Sequence, residues 1–452
     1  MSRFLKLMSI LAIVALIAVP AFAEVQNVKV SGDIDSKMIT RANYDFNNNL
    51  GSSQDKDTWF TSTARLQVDV DLTDNVSTCV RLLNERDWGK EDLSTTDNNS
   101  TEILLDIASV KMKEMFYAPL TMTIGRQNLR FGNGLVVGDP DSNDAAVNGA
   151  TASDLSLRKS FDAVRATLDY NPLVVDLIFA KVDAGTVGVS KTGDDTNLSG
   201  INAAYKFDKY NSEMEAYMFS KNTRSTTLDT DNIYTYGVRG SLEPISKLVV
   251  DAELAMQKGD YVVSGEKLDR SAWAADLGAV YAIDYKWSPK VGARYSYRSG
   301  SKTGTSGAND DTGESKYKAW DTSFEDQTHG IIANKIFDGN NDGVDSNGST
   351  INVMASVVPL QDLTVALDYY NFMLAQKWGT TVTTVRTLNS SGSYEIRDNK
   401  NLGQEVDLSL VYDYTEDVKL GLTAGYFLPG KAFLKDNNDP ASTVMADVKV
   451  SF

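Results

Sequence analysis

The 452-residue sequence contains one cysteine, Cys79, and one histidine, His329. A lone cysteine excludes an intrachain disulfide, and its position far from the start excludes lipid attachment at a mature N-terminal cysteine. A lone histidine excludes a multi-histidine zinc site. His329 also sits in a polar stretch with no serine motif of recognised spacing beside it, so nucleophilic catalysis has no pattern to rest on and no enzyme is expected. Basic charge is scarce too: 44 Lys and Arg stand against 61 Asp and Glu, a formal charge of −17. That balance argues against a nucleic-acid partner, which needs a basic face.

Long apolar runs are missing as well, except at the start. Arg3 and Lys6 precede an apolar run from Leu7 to Val19, and Ala21-Phe22-Ala23 follows Pro20. This is the pattern of a secretory signal with an A-x-A cleavage site, which predicts a signal peptide over 1–23 and a mature chain over 24–452. Losing Arg3 and Lys6 takes the formal charge from −17 to −19. Beyond this segment no stretch approaches the roughly 20 apolar residues of a transmembrane helix.

What the mature chain has instead is alternation. In 61–72, Ala64, Leu66, Val68, Val70 and Leu72 alternate with Arg65, Gln67, Asp69 and Asp71, giving one apolar and one polar face. Val406, Leu408, Leu410 and Tyr412 repeat the pattern, as do Val444, Ala446, Val448, Val450 and Phe452 at the C-terminus. Eighteen such runs can be traced from 28–44 to 443–452. Short turns such as 73–75, 171–172 and 415–417 alternate with long polar segments such as 132–159, 299–349 and 377–401. An antiparallel transmembrane β-barrel produces this alternation, with short periplasmic turns, long extracellular loops and both termini periplasmic. About eighteen strands are expected, with sixteen as the alternative. Aromatic residues near strand ends, including Tyr281, Tyr285, Trp287, Tyr412 and Tyr414, fit interfacial girdles in an outer membrane.

With apolar residues facing lipid, the polar face lines a lumen. Arg65, Arg81, Arg165, Arg239, Arg294 and Arg298 fall on that face, as do the acids Asp69, Asp71, Glu85, Asp276 and Asp407. Such a lining suits a water-filled path, although charges that pair across the lumen would merely fill it. Arg126 and Arg130 share a face by spacing, but continuing the alternation from Met122 and Ile124 turns both toward lipid. A bulge near Gly125, or the approach to the outer rim, is expected to turn them inward, with exposure at the rim as the alternative. The glycine-containing segment after them is too long for a hairpin, and it either folds into the lumen or stays outside.

Asp338, Asn340, Asp342 and Asp345 surround Gly343, as oxygen donors do at the start of a calcium loop. The expected glutamate is replaced by Ser349, so calcium competes with an ordinary Asn/Asp/Gly turn. No other cofactor is indicated.

The blocks IGRQNLRFGNGLVVGD, SFDAVRATLDYNPLVVDLIFAKVD and WDTSFEDQTHGIIAN, with the closing segment from Leu402 to Phe433, resemble the alginate-export family of outer-membrane barrels. The resemblance implies an eighteen-stranded barrel with an arginine-rich constriction that passes an anionic polyuronate. It also implies lumen roles for Arg126, Arg130 and Arg165. The expected function is a passive outer-membrane channel for hydrophilic solutes, anionic ones among them. A dedicated exporter of an acidic polysaccharide and a plugged barrel with an adhesive or structural role are the alternatives. Expected partners are outer-membrane lipid, the transported solute or polysaccharide, and the outer-membrane assembly machinery, which would read the C-terminal strand ending in Phe452.

Overall fold

The computed structural model describes residues 26–47, 56–89, 103–140, 153–183, 195–224, 231–263, 266–301, 316–337, 339, 342–378, 384–388, 393–434 and 437–452. The segment read as a signal peptide, 1–23, lies outside the described residues. Among the described residues no helix is long and apolar enough to cross a membrane, a finding that leaves strands free to do so.

Eighteen antiparallel strands form one closed barrel. The first seven are β1 Asn27–Ala42, β2 Lys56–Thr73, β3 Val76–Asp87, β4 Leu104–Met112, β5 Leu120–Asn128, β6 Ser160–Asp169 and β7 Leu173–Asp183. β8 Thr196–Phe207, β9 Ser212–Thr223, β10 Asp231–Ile245, β11 Leu248–Val263, β12 Glu266–Ala282 and β13 Lys290–Arg298 follow. β14 Gly348–Leu360, β15 Leu363–Leu374, β16 Asn401–Asp413, β17 Val418–Pro429 and β18 Ala441–Ser451 complete it. Each strand pairs with its sequence neighbours, and β18 returns to β1 in a register from Asp33↔Ser451 to Ala42↔Ser442. All eighteen alternating runs of the sequence are strands, shifted at their ends by a few residues.

The period-two pattern sets the two faces. Val30, Ile34, Leu66, Val80, Leu254, Leu277 and Leu408 point outward and are exposed, and the residues between them point into the lumen. Outward aromatics crowd the two ends of this apolar band. Phe207, Tyr281, Trp287, Tyr412 and Phe452 lie at the short-turn end, and Phe60, Trp88, Tyr234 and Tyr426 at the long-loop end. Rings at such levels bury an apolar body and keep a polar edge wet. The N-terminus of β1 and the C-terminus of β18 both lie at the short-turn end.

The long-loop end is not the solvated polar fringe that its composition suggests. Phe46, Trp378, Tyr394 and Phe433, all from inter-strand segments, pack with Phe372 of β15 and Phe427 of β17 into an aromatic cap. Apolar residues scattered through polar loops gain burial only by folding back over the lumen.

The last residue extends the closing seam. The Phe452 amide donates to the Gly32 carbonyl at 3.0 Å, and the Gly32 amide donates to the Phe452 carbonyl at 2.9 Å. The Phe452 ring covers Gly32 from outside, so that a Cβ at residue 32 would lie 2.7 Å from ring atom Cζ and 2.4 Å from the Arg65 carbonyl oxygen. Gly32→Leu is expected to displace the ring and weaken the seam by about 1–3 kcal/mol, the usual scale of overpacking. The check is heat-modifiable gel migration, in which the variant should convert to its unfolded position at a lower temperature than the parent.

Candidate functional site

Two inter-strand segments fold into the lumen. The first follows β5, where Leu129, Phe131, Leu135, Val136 and Val137 are buried against the inward side chains Phe161, Ile178, Tyr217, Phe219 and Ala274. Its tip is held by acids and an arginine of the wall. The Gly132 amide donates to Glu215 Oε2 at 3.2 Å and the Asn133 amide to Glu253 Oε2 at 2.9 Å. Asn133 Nδ2 donates to Asp251 Oδ2 at 3.0 Å, and Arg239 Nε donates to Asn133 Oδ1 at 2.8 Å. Gly132 has φ +57, and a Cβ there would meet Glu253 Oε1 at 2.7 Å, so the close approach requires glycine.

The second segment, over its described residues 316–337, crosses from one part of the wall to another. At its entrance Gln257 brackets Asp321: Gln257 Nε2 donates to the Asp321 carbonyl and the Asp321 amide donates to Gln257 Oε1, both at 2.8 Å. Burial pushes the Asp321 carboxyl up, but Lys221, with Nζ 3.0 Å from Oδ1, and Arg270 outweigh it and hold the group down at about 2. Next the segment zips against the first one, with Phe324 N to Val136 O at 3.0 Å, Gly138 N to Phe324 O at 2.7 Å and Asp326 N to Gly134 O at 2.8 Å. At the far wall Glu405 accepts the amides of Ile332 and Ala333 at 2.7 and 2.9 Å, and Asp407 accepts that of Ile331 at 3.2 Å. These amides open the one-turn helix Ala333–Ile336, which would otherwise leave unsatisfied donors in a buried place.

Between the crossing and the wall lies a polar cavity of about 690 Å³. Its charged lining residues are Arg130 and Asp326 from the in-folded segments, Arg294 of β13 and Asp368 of β15, with His329, Asn352 and Tyr370 beside them.

The arginines singled out in the sequence divide clearly. Arg65, Arg81, Arg165, Arg239, Arg294 and Arg298 all point inward, and each meets a carboxylate. Arg81 Nε lies 2.6 Å from Asp106, Arg165 Nε 2.7 Å from Asp176, and Arg239 Nη1 2.6 Å from Glu215. Arg294 Nη2 lies 2.8 Å from Asp251, Arg298 Nη1 3.1 Å from Asp276, and Arg65 Nε 3.0 Å from Asp33. Arg130 reaches the lumen too, bound to Asp326, which Lys159 also engages.

Arg126 corrects the expectation of inward placement. Pairing runs through Gly125 without a register shift on either side, so no bulge reverses the alternation. Arg126 therefore stays on the outward face with Ile124, where its Nη1 meets Asp162 Oδ2 at 3.0 Å. Asp162 is the third residue of β6 from the long-loop end, which sets the pair near the rim. Nor do Arg126 and Arg130 share a face, because β5 ends at Asn128 and the chain turns into the lumen before Arg130. Of the calcium-like turn, Asp338 and Asn340 lie outside the described residues, and Asp342 and Asp345 are buried. Among the described residues no three His, Cys, Asp or Glu side chains are grouped to hold a metal ion.

Sequence reasoning missed Asn133, Asp326, Gln327, Asn352, Asp368 and Tyr370. A signal for the in-folding was present in the apolar residues of supposedly solvated loops, Leu135-Val136-Val137 and Ile331-Ile332.

The chain belongs to the alginate export family, whose profile matches residues 33–447. It is thus an outer-membrane β-barrel channel of porin and alginate-export type. No curated protein matches it in sequence. Among solved structures it resembles OccK2 (OpdF) of Pseudomonas aeruginosa in complex with glucuronate, at 11% identity and TM-score 0.54 over 95% of this chain and 99% of that one. OccAB1 of Acinetobacter baumannii aligns at 12% identity and TM-score 0.54 over 96% and 99%. OccK11 (OpdR) of Pseudomonas aeruginosa aligns at 10% and 0.55 over 95% and 97%. At such identities the likeness carries the fold alone.

Two predictions follow from the geometry of the crossing. Asn133→Ala removes two side-chain hydrogen bonds to charged groups, worth about 1.5–3 kcal/mol each, and should loosen the first segment, seen as larger and noisier single-channel currents. His329 is buried, and burial drives its imidazole down from 6.5 to about 3, with the Arg298 charge adding to the effect and Asp276 opposing it. Because the folded value is depressed, the neutral imidazole is fully compatible with folding above about 6.5, and stability is lost as pH falls from there toward 3. The single imidazole resonance of the protein should therefore hold its neutral position from pH 8 to pH 5. His329→Gln should flatten the fall in heat-modification temperature between those values.

Proposed function

We propose that this protein is a passive channel for small hydrophilic solutes, anionic ones among them, working without cofactor or chemistry. The polar cavity of about 690 Å³ left by the crossing segments carries this reading. It falls in the size range of small-molecule sites, yet its lining is polar, as a path for hydrated solutes requires. In this reading the termini and short turns face the periplasm, the long loops face outward, and assembly machinery reads the strand that ends in Phe452.

Membership of the alginate export family favours a second reading, export of an acidic polysaccharide. Inward arginines support it, since guanidinium forks bind carboxylates well. Against it stands their engagement by acids of the barrel itself, which leaves little positive charge for a polyanion.

Purified protein in planar bilayers is expected to pass steady ionic current, and proteoliposomes should swell in a monosaccharide such as glucuronate. Absence of current at every voltage would overturn the channel reading in favour of a plugged barrel. Passage of alginate oligomers at rates matching the monomer would favour the exporter.

A further inference from the structure

The constriction is electrically two-sided, and one of its carboxylates is uncommitted. Of the charged residues lining the cavity, Arg130 and Arg294 contribute two positive charges and Asp326 and Asp368 two negative ones, a formal balance of zero. Arg294 is engaged by Asp251, and Asp326 by Arg130 and Lys159. Asp368 differs. Among the described residues its only hydrogen bond is from Asn352 Nδ2 to Oδ1 at 3.2 Å, and no basic side chain contacts it.

The strand register explains its isolation. Across the inner wall Arg294, Asn352, Tyr370 and Glu405 form one row, and Met354, Asp368 and Asp407 the next. Arg294 leans away from Asp368, over Gly278, to reach Asp251 on β11. Two strand spacings of about 4.8 Å each further separate β13 from β15. The guanidinium of Arg130 presents the opposite charge from the in-folded segments. It is about half exposed, and its contacts, to Asp326 and to the Asn133 carbonyl, leave donors of its fork free.

Resting on the channel reading above, we propose that this cavity selects amphoteric solutes, which carry a carboxylate and an ammonium group on one small polar framework, and that Asp368 is the specificity-determining residue. The carboxylate of such a solute meets the Arg130 fork while its ammonium meets the free oxygen of Asp368. A simple anion gains the Arg130 fork but is repelled by Asp368. A simple cation gains Asp368 but faces Arg130. Only the solute with both charges satisfies both sides, and with no net charge it enters a cavity that has none.

The test uses three solutes of nearly equal size: glucuronate, glucosamine and 2-amino-2-deoxygluconate, each in proteoliposome swelling with the full-length protein. The amphoteric solute is expected to enter at least three-fold faster than either other. Asp368→Asn, which keeps the shape and the contact with Asn352, should remove that advantage and shift the potassium-to-chloride permeability ratio toward chloride. Heat-modifiable migration serves as the check on folding. Parent protein that admits glucuronate as fast as or faster than the amphoteric solute overturns the proposal, whatever the variant does. Equal selectivity of parent and folded Asp368→Asn overturns the role of Asp368. Absence of ionic current in potassium chloride alone would instead remove the channel reading itself.

Discussion

Every backbone donor and acceptor at membrane depth needs a partner within the chain, and the seam between β1 and β18 is where that requirement is met last. Seventeen of the eighteen strand pairings are local hairpins or neighbours along the chain, whereas this one joins residues 400 to 418 positions apart. An unpaired edge in hydrocarbon would expose a row of polar groups at several kcal/mol each. Once the seam is made, the alternation of every strand is fixed as lipid-facing or lumen-facing. The charged residues then have only one place to go.

That place is crowded with both signs, and the structure answers by pairing them. Arginines that would be costly alone in a partly buried lumen sit beside Asp33, Asp106, Asp176, Glu215, Asp251 and Asp276. Other wall carboxylates take no arginine and accept backbone amides from the in-folded segments, as Glu253, Glu405 and Asp407 do. The acidity of the chain is thus partly explained from within: acids outnumber arginines because some of them hold loops.

The barrel was legible in the sequence because a strand reports its two faces at period two, and eighteen runs separated by alternately short and long connections leave few other architectures. The constriction was less so. Arg65 and Arg294 could be placed inward by counting from their strands, but Arg126 depended on whether the backbone bulged at Gly125, which residue identity does not decide. Asp326 and Asp368 approach one cavity from positions 42 residues apart, one on a crossing segment and one on a strand. Such meetings depend on how a long segment folds, and only the scattered apolar residues in those segments hinted that they do not remain in water.

The two in-folded segments are hydrogen-bonded to each other through Val136, Gly134, Gly138, Phe324 and Asp326, and are fastened at one side to β9–β11 and at the other to β16. Together they make a strut across the lumen. A cylinder braced in this way resists flattening, so lateral pressure from the bilayer is carried partly by the strut as well as by the strand ladder. It also follows that neither segment can swing aside alone: the first is zipped to a second that is anchored at another part of the wall. Any widening of the path therefore has to move both segments together.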